Sequence, residues 1–177
     1  MPYFKVSLNI KKVKILRQKQ PTRKRREMEN RWNRLLAVLI RECGFAWANP
    51  DIVAEKFMLL CRISFNPVEI VSIKPHLKEI GKPWIITDDI LAYFDKLSFR
   101  PANLPELLCW WLKNKTSWTE STVVVALGSV GLNRFGNLCA PYIYCWHGEP
   151  KFGLHKREYV FTEIYSFAVV RKMQQSE

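Results

Sequence analysis

The residues best suited to chemistry lie close together late in the chain: Cys139, Cys145, His147 and His155, spaced C-x5-C-x-H-x7-H. Zinc accepts thiolate and imidazole ligands, but this spacing matches no familiar finger or ribbon. Calcium asks for clustered carboxylates, and residues 121–172 offer only Glu149, Glu158 and Glu163, with no Asp. Cys145 and His147 sit two apart, which in a strand puts both on one face as a nucleophile beside a base, yet no third group completes the set. Ser129 directly follows Gly128 in Gly128-Ser129-Val130-Gly131, so the G-x-S-x-G elbow is absent. There is no P-loop and no G-x-G-x-x-G. The expectation is therefore a chain that is not an enzyme and uses no metal or cofactor.

The same stretch is rich in side chains that recognise rather than react. Five of the seven glycines, Gly128, Gly131, Gly136, Gly148 and Gly153, are interleaved here with aromatic and charged residues. Strands expected at Val123–Leu127, Tyr142–Cys145 and Phe167–Arg171 form a rigid frame, and the residues between them face outward on turns and short strands. The candidate ligand contacts are Asn133, Arg134, Phe135, Asn137, Leu138, Tyr144, Trp146, His147, Lys151, His155, Arg157 and Tyr159. Aromatic and Arg side chains give large contact area at low entropy cost, while polar neighbours set orientation. Tyr142, Phe152 and Phe161 are expected in the core; Trp146 is placed neither in the core nor on the surface by its pattern.

The elements upstream read as helical. Trp32, Leu35, Leu36, Leu39 and Cys43 recur at spacings of three and four, with Gly44 as a stop. Asn49-Pro50-Asp51 opens a second helix carrying Val53, Phe57, Leu60 and Cys61 on one face. Asn66 and Glu69 have capping-box spacing for a third, which Pro75 ends or kinks before a turn at Gly81-Lys82-Pro83. Thr87-Asp88-Asp89 caps a fourth, with Ile90, Leu91, Phe94 and Leu97 inward. Asn103 and Glu106 cap a short helix with the apolar stripe Leu104, Leu107, Leu108 and Trp111. No helix pair has a short Gly turn followed by a basic second helix, which argues against a helix-turn-helix DNA reader.

Charge is distributed unevenly. Residues 1–27 hold ten of the 28 Lys and Arg and one acid, so a basic and disordered arm carries most of the net charge of +12. An arm ending in Arg23, Lys24, Arg25 and Arg26 would grip phosphate backbones, which gives the rival reading, a nucleic-acid-binding protein. The longest apolar run, Leu35 to Ile40, is too short to span a bilayer, and no apolar segment follows the basic start as in a secretory signal. Five irregularly spaced cysteines fit a reducing compartment, so the cytoplasm is expected.

Two stretches together resemble an uncharacterised bacterial family. They are Thr87 to Leu108, TDDILAYFDKLSFRPANLPELL, and Val125 to Lys172, with VALGSV, APYI, FGL and YSFAVVRK at matching intervals. The family pattern runs TxDEVIAEMDxxGFRPATLHELL, ALGSxW, VPYL, LxL, W and YRFLAVRK. This chain departs from it at Gly131, where tryptophan is usual, at Ala140 for Val, and at Ser166 for the Arg before Phe167. Tyr159 or Phe161 must stand for the second tryptophan. The Arg-Pro helix start followed by Gly- and aromatic-rich strands is also similar to small C-type-lectin-like domains, among them the variable proteins diversified by retroelements. With the helical periodicity upstream, an N-terminal helical region (28–98) is expected after the arm, and the resemblance implies that a small C-type-lectin-like β unit (99–174) follows it, an α+β fold. It also implies recognition of a protein or other macromolecular ligand through a hypervariable face.

Overall fold

The computed structural model describes residues 23–53, 56–57, 67–118 and 123–172. In chain order they form α1 (Arg23–Cys43), β1 (Trp47–Ala48), β2 (Val68–Ser72), α2 (Lys74–Glu79), α3 (Thr87–Lys96), β3 (Phe99–Pro101), α4 (Leu104–Asn114), β4 (Val123–Val125), β5 (Gly131–Leu132), β6 (Leu138–Trp146), β7 (Glu149–Lys156) and β8 (Tyr165–Arg171). All eight strands join one mixed sheet in the order β1-β7-β6-β4-β8-β2, with β3 added to β8 and β5 to β6. The fold class is α+β.

The sheet is buried on both faces at its centre. Val124, Ala168 and Val170 belong to one apolar cluster with Leu36 and Cys43 of α1 and Leu104, Leu107, Leu108 and Trp111 of α4. Their sequence neighbours Val125, Phe167 and Val169 belong to the other, with Leu77 of α2 and Ile90 and Phe94 of α3. Alternating side chains feed alternate layers, which is why β4 and β8 read as continuous apolar runs rather than as an alternating pattern.

Several sequence expectations change. The region 28–98 is not a separate helical unit, since Val68–Ser72 pairs antiparallel with Ser166–Val170 of β8 and Trp47–Ala48 pairs parallel with β7. The helix expected from Asn66 is strand β2: β-branched residues that gain a long-range partner override a local capping signal. Asn66 itself, with Leu60 and Cys61, lies outside the described residues. Asn49 does accept a hydrogen bond from Asp51 N at 2.9 Å, but this is a turn, and residues 51–53 and 56–57 are not helical. Pro75 opens α2 instead of ending a helix. Thr87 does not cap α3; its hydroxyl donates to Arg157 O at 2.7 Å. The arm cannot be disordered as far as residue 27, because α1 begins at Arg23 and includes Lys24, Arg25 and Arg26; residues 1–22 lie outside the described residues.

The joint between α4 and the sheet was the most legible feature. Asn103 Oδ1 accepts from Glu106 N at 3.0 Å, and Asn103 N donates to Glu106 Oε2 at 2.9 Å, a complete capping box. Arg100 clamps the same carboxylate through both its terminal nitrogens, at 2.6 and 2.9 Å. Ser129 Oγ accepts from Leu104 N at 2.8 Å, satisfying another open helix donor. The motif residues of RPANLPE and ALGS therefore meet at one point and are structural.

Glycine at position 131 has a steric reason. A Cβ there would lie 2.6 Å from Lys56 O and 2.9 Å from the Phe57 ring. Phe57 is buried and fills the space a larger residue at 131 would take.

Candidate functional site

Strands β6 and β7 form the longest hairpin of the sheet, joined by His147-Gly148 with φ of 52° and 76°. Two positive φ values make this a two-residue turn whose twist suits the strands it joins. His147 is therefore in the turn, not in a strand beside Cys145, and the expected shared face of that pair is lost.

The register sorts the remaining residues by face. Residues opposite one another share a face and successive ones alternate. Cys139 pairs with Lys156 and Ala140 with His155, so Cys139 and His155 project from opposite faces. Cys139 and Cys145 share a face but stand six residues apart, about 20 Å along the strand. The quartet Cys139, Cys145, His147 and His155 does not converge, and no group of three metal-ligating side chains does so among the described residues. Burial raises the thiol pKa of Cys139, which keeps it protonated and a poor nucleophile.

What does converge is aromatic. Trp47, Lys151 and Tyr144 form one cross-strand row over β1, β7 and β6, flanked by Glu149 with Trp146 on one side and Gly153 with Tyr142 on the other. Tyr142 lies across Gly153: a Cβ at 153 would stand 2.7 Å from the Tyr142 ring. This close approach explains a glycine inside a strand. Tyr142 stacks on Tyr144 with centroids 5.0 Å apart. Trp47 and Trp146 keep 44% and 58% of their surface in water, so the rings at the outer end of the face are open to a partner.

Beyond Asn49 the chain leaves the β7 edge and opens a cleft of about 690 Å³ that includes Trp47, Asp51, Arg134, Phe135, Tyr142, His155, Lys156, Tyr159 and Tyr165. His155 sits inside an aromatic box, stacked on Phe161 at 4.6 Å and met edge-on by Tyr142, Tyr159 and Tyr165. Its Nδ1 faces Lys156 O at 2.9 Å and its Nε2 faces the Tyr165 hydroxyl at 3.2 Å. A neutral ring donating from Nδ1 and accepting at Nε2 satisfies both contacts. Burial lowers the His155 pKa, the Lys156 carbonyl opposing it. The folded protein thus disfavours imidazolium relative to the unfolded chain. Stability should be complete above pH 6.5, the ordinary histidine value, and fall as pH drops below it. Thermal melts at a series of pH values should show this decline, and His155→Gln should reduce it.

The twelve expected contacts divide between the aromatic face and positions that hold turns and ion pairs. Tyr144, Trp146 and Lys151 share the aromatic face, and His155 and Tyr159 join at its inner end. Asn133 and Asn137 build the β5–β6 turn instead: Asn133 Oδ1 accepts from the backbone N of Phe135 and of Asn137, both at 3.0 Å. Arg134 is held by Asp51, which takes its backbone N at 3.0 Å and its Nε at 3.1 Å while also pairing with Lys56. The Lys56 and Arg134 contacts hold the Asp51 carboxyl at a pKa of about 2. Arg157 pairs with Asp88 at 3.3 Å. Phe135 is 80% exposed at the tip, between Leu132 and Leu138, at the far end of β6 from Trp146. Arg23, Lys24, Arg25 and Arg26 lie on α1, whose buried side packs in the cluster on the opposite face of the sheet. Trp47 was missed because a two-residue edge strand leaves no periodic signal.

No family model, curated protein or solved structure matches the chain. No helix among the described residues is long and apolar enough to cross a membrane.

Proposed function

We propose that the protein is a non-enzymatic recognition module that binds a macromolecular ligand on the aromatic face of β1, β7 and β6. The observation that carries this reading is the row Trp47, Lys151 and Tyr144 with the exposed Trp146 beside it. Rings held by strand pairing and by the Tyr142–Gly153 contact are already ordered before binding, so little entropy is lost when a partner covers them. The resemblance to C-type-lectin-like variable proteins supports the same division into frame and face: the Arg-Pro helix α4 packs on the sheet and β8 forms its buried centre. The cytoplasm remains the expected compartment under this reading.

The test compares wild type with Tyr144→Ala/Trp146→Ala on arrays of immobilised glycans, peptides and oligonucleotides. Binding that the double variant loses, with its melting temperature kept, supports the reading. Ligands retained equally by both proteins contradict it.

A further inference from the structure

The ligand class follows from where the charges sit among the rings. Lys151 stands between Trp47 and Tyr144 in the cross-strand row. Lys156, opposite Cys139 in register and so based on the other face of β7, lines the adjoining cleft, with its Nζ 5.1 Å from the centroid of the Tyr159 ring. Neither lysine forms an ion pair with a carboxylate among the described residues. The neighbouring Arg134 and Arg157 are committed to Asp51 and Asp88. On the strand face the one acid is Glu149, exposed at the hairpin end opposite Trp146, and in the cleft Asp51 is taken up by Lys56 and Arg134.

Three kinds of partner would use such a surface differently. The core of a protein–protein patch favours aromatic residues but is depleted in lysine, and here a lysine is central. A neutral glycan would stack on the rings but has no use for two cations without partners. A single-stranded nucleic acid uses both, because each exposed base offers a π-face and each phosphate an anion close to it. Rings at positions 142, 144 and 146 recur along one strand, which suits a ligand that is itself a repeating chain. A duplex hides the faces of its bases and does not suit this surface.

Building on the reading above, we infer that the face binds single-stranded nucleic acid, with bases on Trp47, Tyr144 and Trp146 and phosphates on Lys151 and, where the strand passes the rim of the adjoining cleft, on Lys156. Fluorescence anisotropy of labelled dT15, U15 and a 15-base-pair duplex with the full chain tests this. Both single strands should bind more tightly than the duplex, with affinity falling as salt rises. Tyr144→Ala/Trp146→Ala should weaken single-strand binding by about tenfold or more, while Tyr144→Phe, which keeps the ring, should bind like wild type. Neutralising Arg23, Lys24, Arg25 and Arg26 together should leave the preference for single strands intact. Absence of binding to dT15 and U15 at low salt overturns the inference, as does equal duplex affinity or an affinity unchanged in the double variant. If the oligonucleotides fail while a peptide or glycan is still lost on the double variant, the ligand class falls and the binding face stands.

Discussion

Replacing Glu106 by alanine is expected to lower the melting temperature of the protein by about 6–12 °C. The side chain is 2% exposed and its two oxygens accept from both terminal nitrogens of Arg100 and from the Asn103 backbone. Removing it breaks a bidentate ion pair and half of a capping box in one step. Breaking one side of a buried pair costs about 3–5 kcal/mol. Arg100 keeps 35% of its side-chain surface in water, which places the cost here near the lower end, about 3 kcal/mol. At about 2–4 °C per kcal/mol for a chain of this size, that gives the stated shift. Glu106→Gln keeps an acceptor for Asn103 N and should lose less. Thermal and urea unfolding followed by circular dichroism provide the check, and an unchanged midpoint in the alanine variant would refute the structural role.

Gly128→Ala, a single added methyl, should cost nearly as much. A Cβ at 128 would stand 2.6 Å from Ala102 O and 2.7 Å from Pro101 O, both backbone atoms that cannot rotate away. Gly128 N also donates to Ala102 O at 3.0 Å, so the two segments are held at this distance. The φ at Gly128 is not in the left-handed region, and the penalty is therefore steric rather than conformational. Overpacking of this kind costs about 1–3 kcal/mol, and the rigid partners point to its upper half. Because Gly128 and Glu106 act at the same joint, the double variant should lose less than the two single losses combined. Urea midpoints of the four proteins measure that coupling.

How much was legible follows from the range of each signal. The α4 capping box was readable because Asn103 and Glu106 are three residues apart and the chemistry is local. Strand β2 was not readable, because its partner β8 lies about a hundred residues later and the Asn66–Glu69 spacing imitated a helix start. Strand β7 was hidden by Gly153, whose reason is the Tyr142 ring on the neighbouring strand. Of the candidate contacts, Tyr144, Trp146 and Lys151 came together because pairing in β6 and β7 keeps period two. Arg134 and Arg157 were chosen as polar residues on turns, and their partners Asp51 and Asp88 lie more than sixty residues away.

The face itself is best tested through the seven tryptophans, which are distributed over the whole molecule. With the protein labelled by 5-fluorotryptophan, each gives its own ¹⁹F resonance, assigned by single Trp→Phe variants. Titration with a ligand selected on the arrays should shift Trp47 and Trp146 and leave Trp32, Trp110, Trp111 and Trp118, which pack with the helical layer of α1 and α4, in place. Shifts confined to those four, with Trp47 and Trp146 unmoved, would contradict the aromatic face as the binding site.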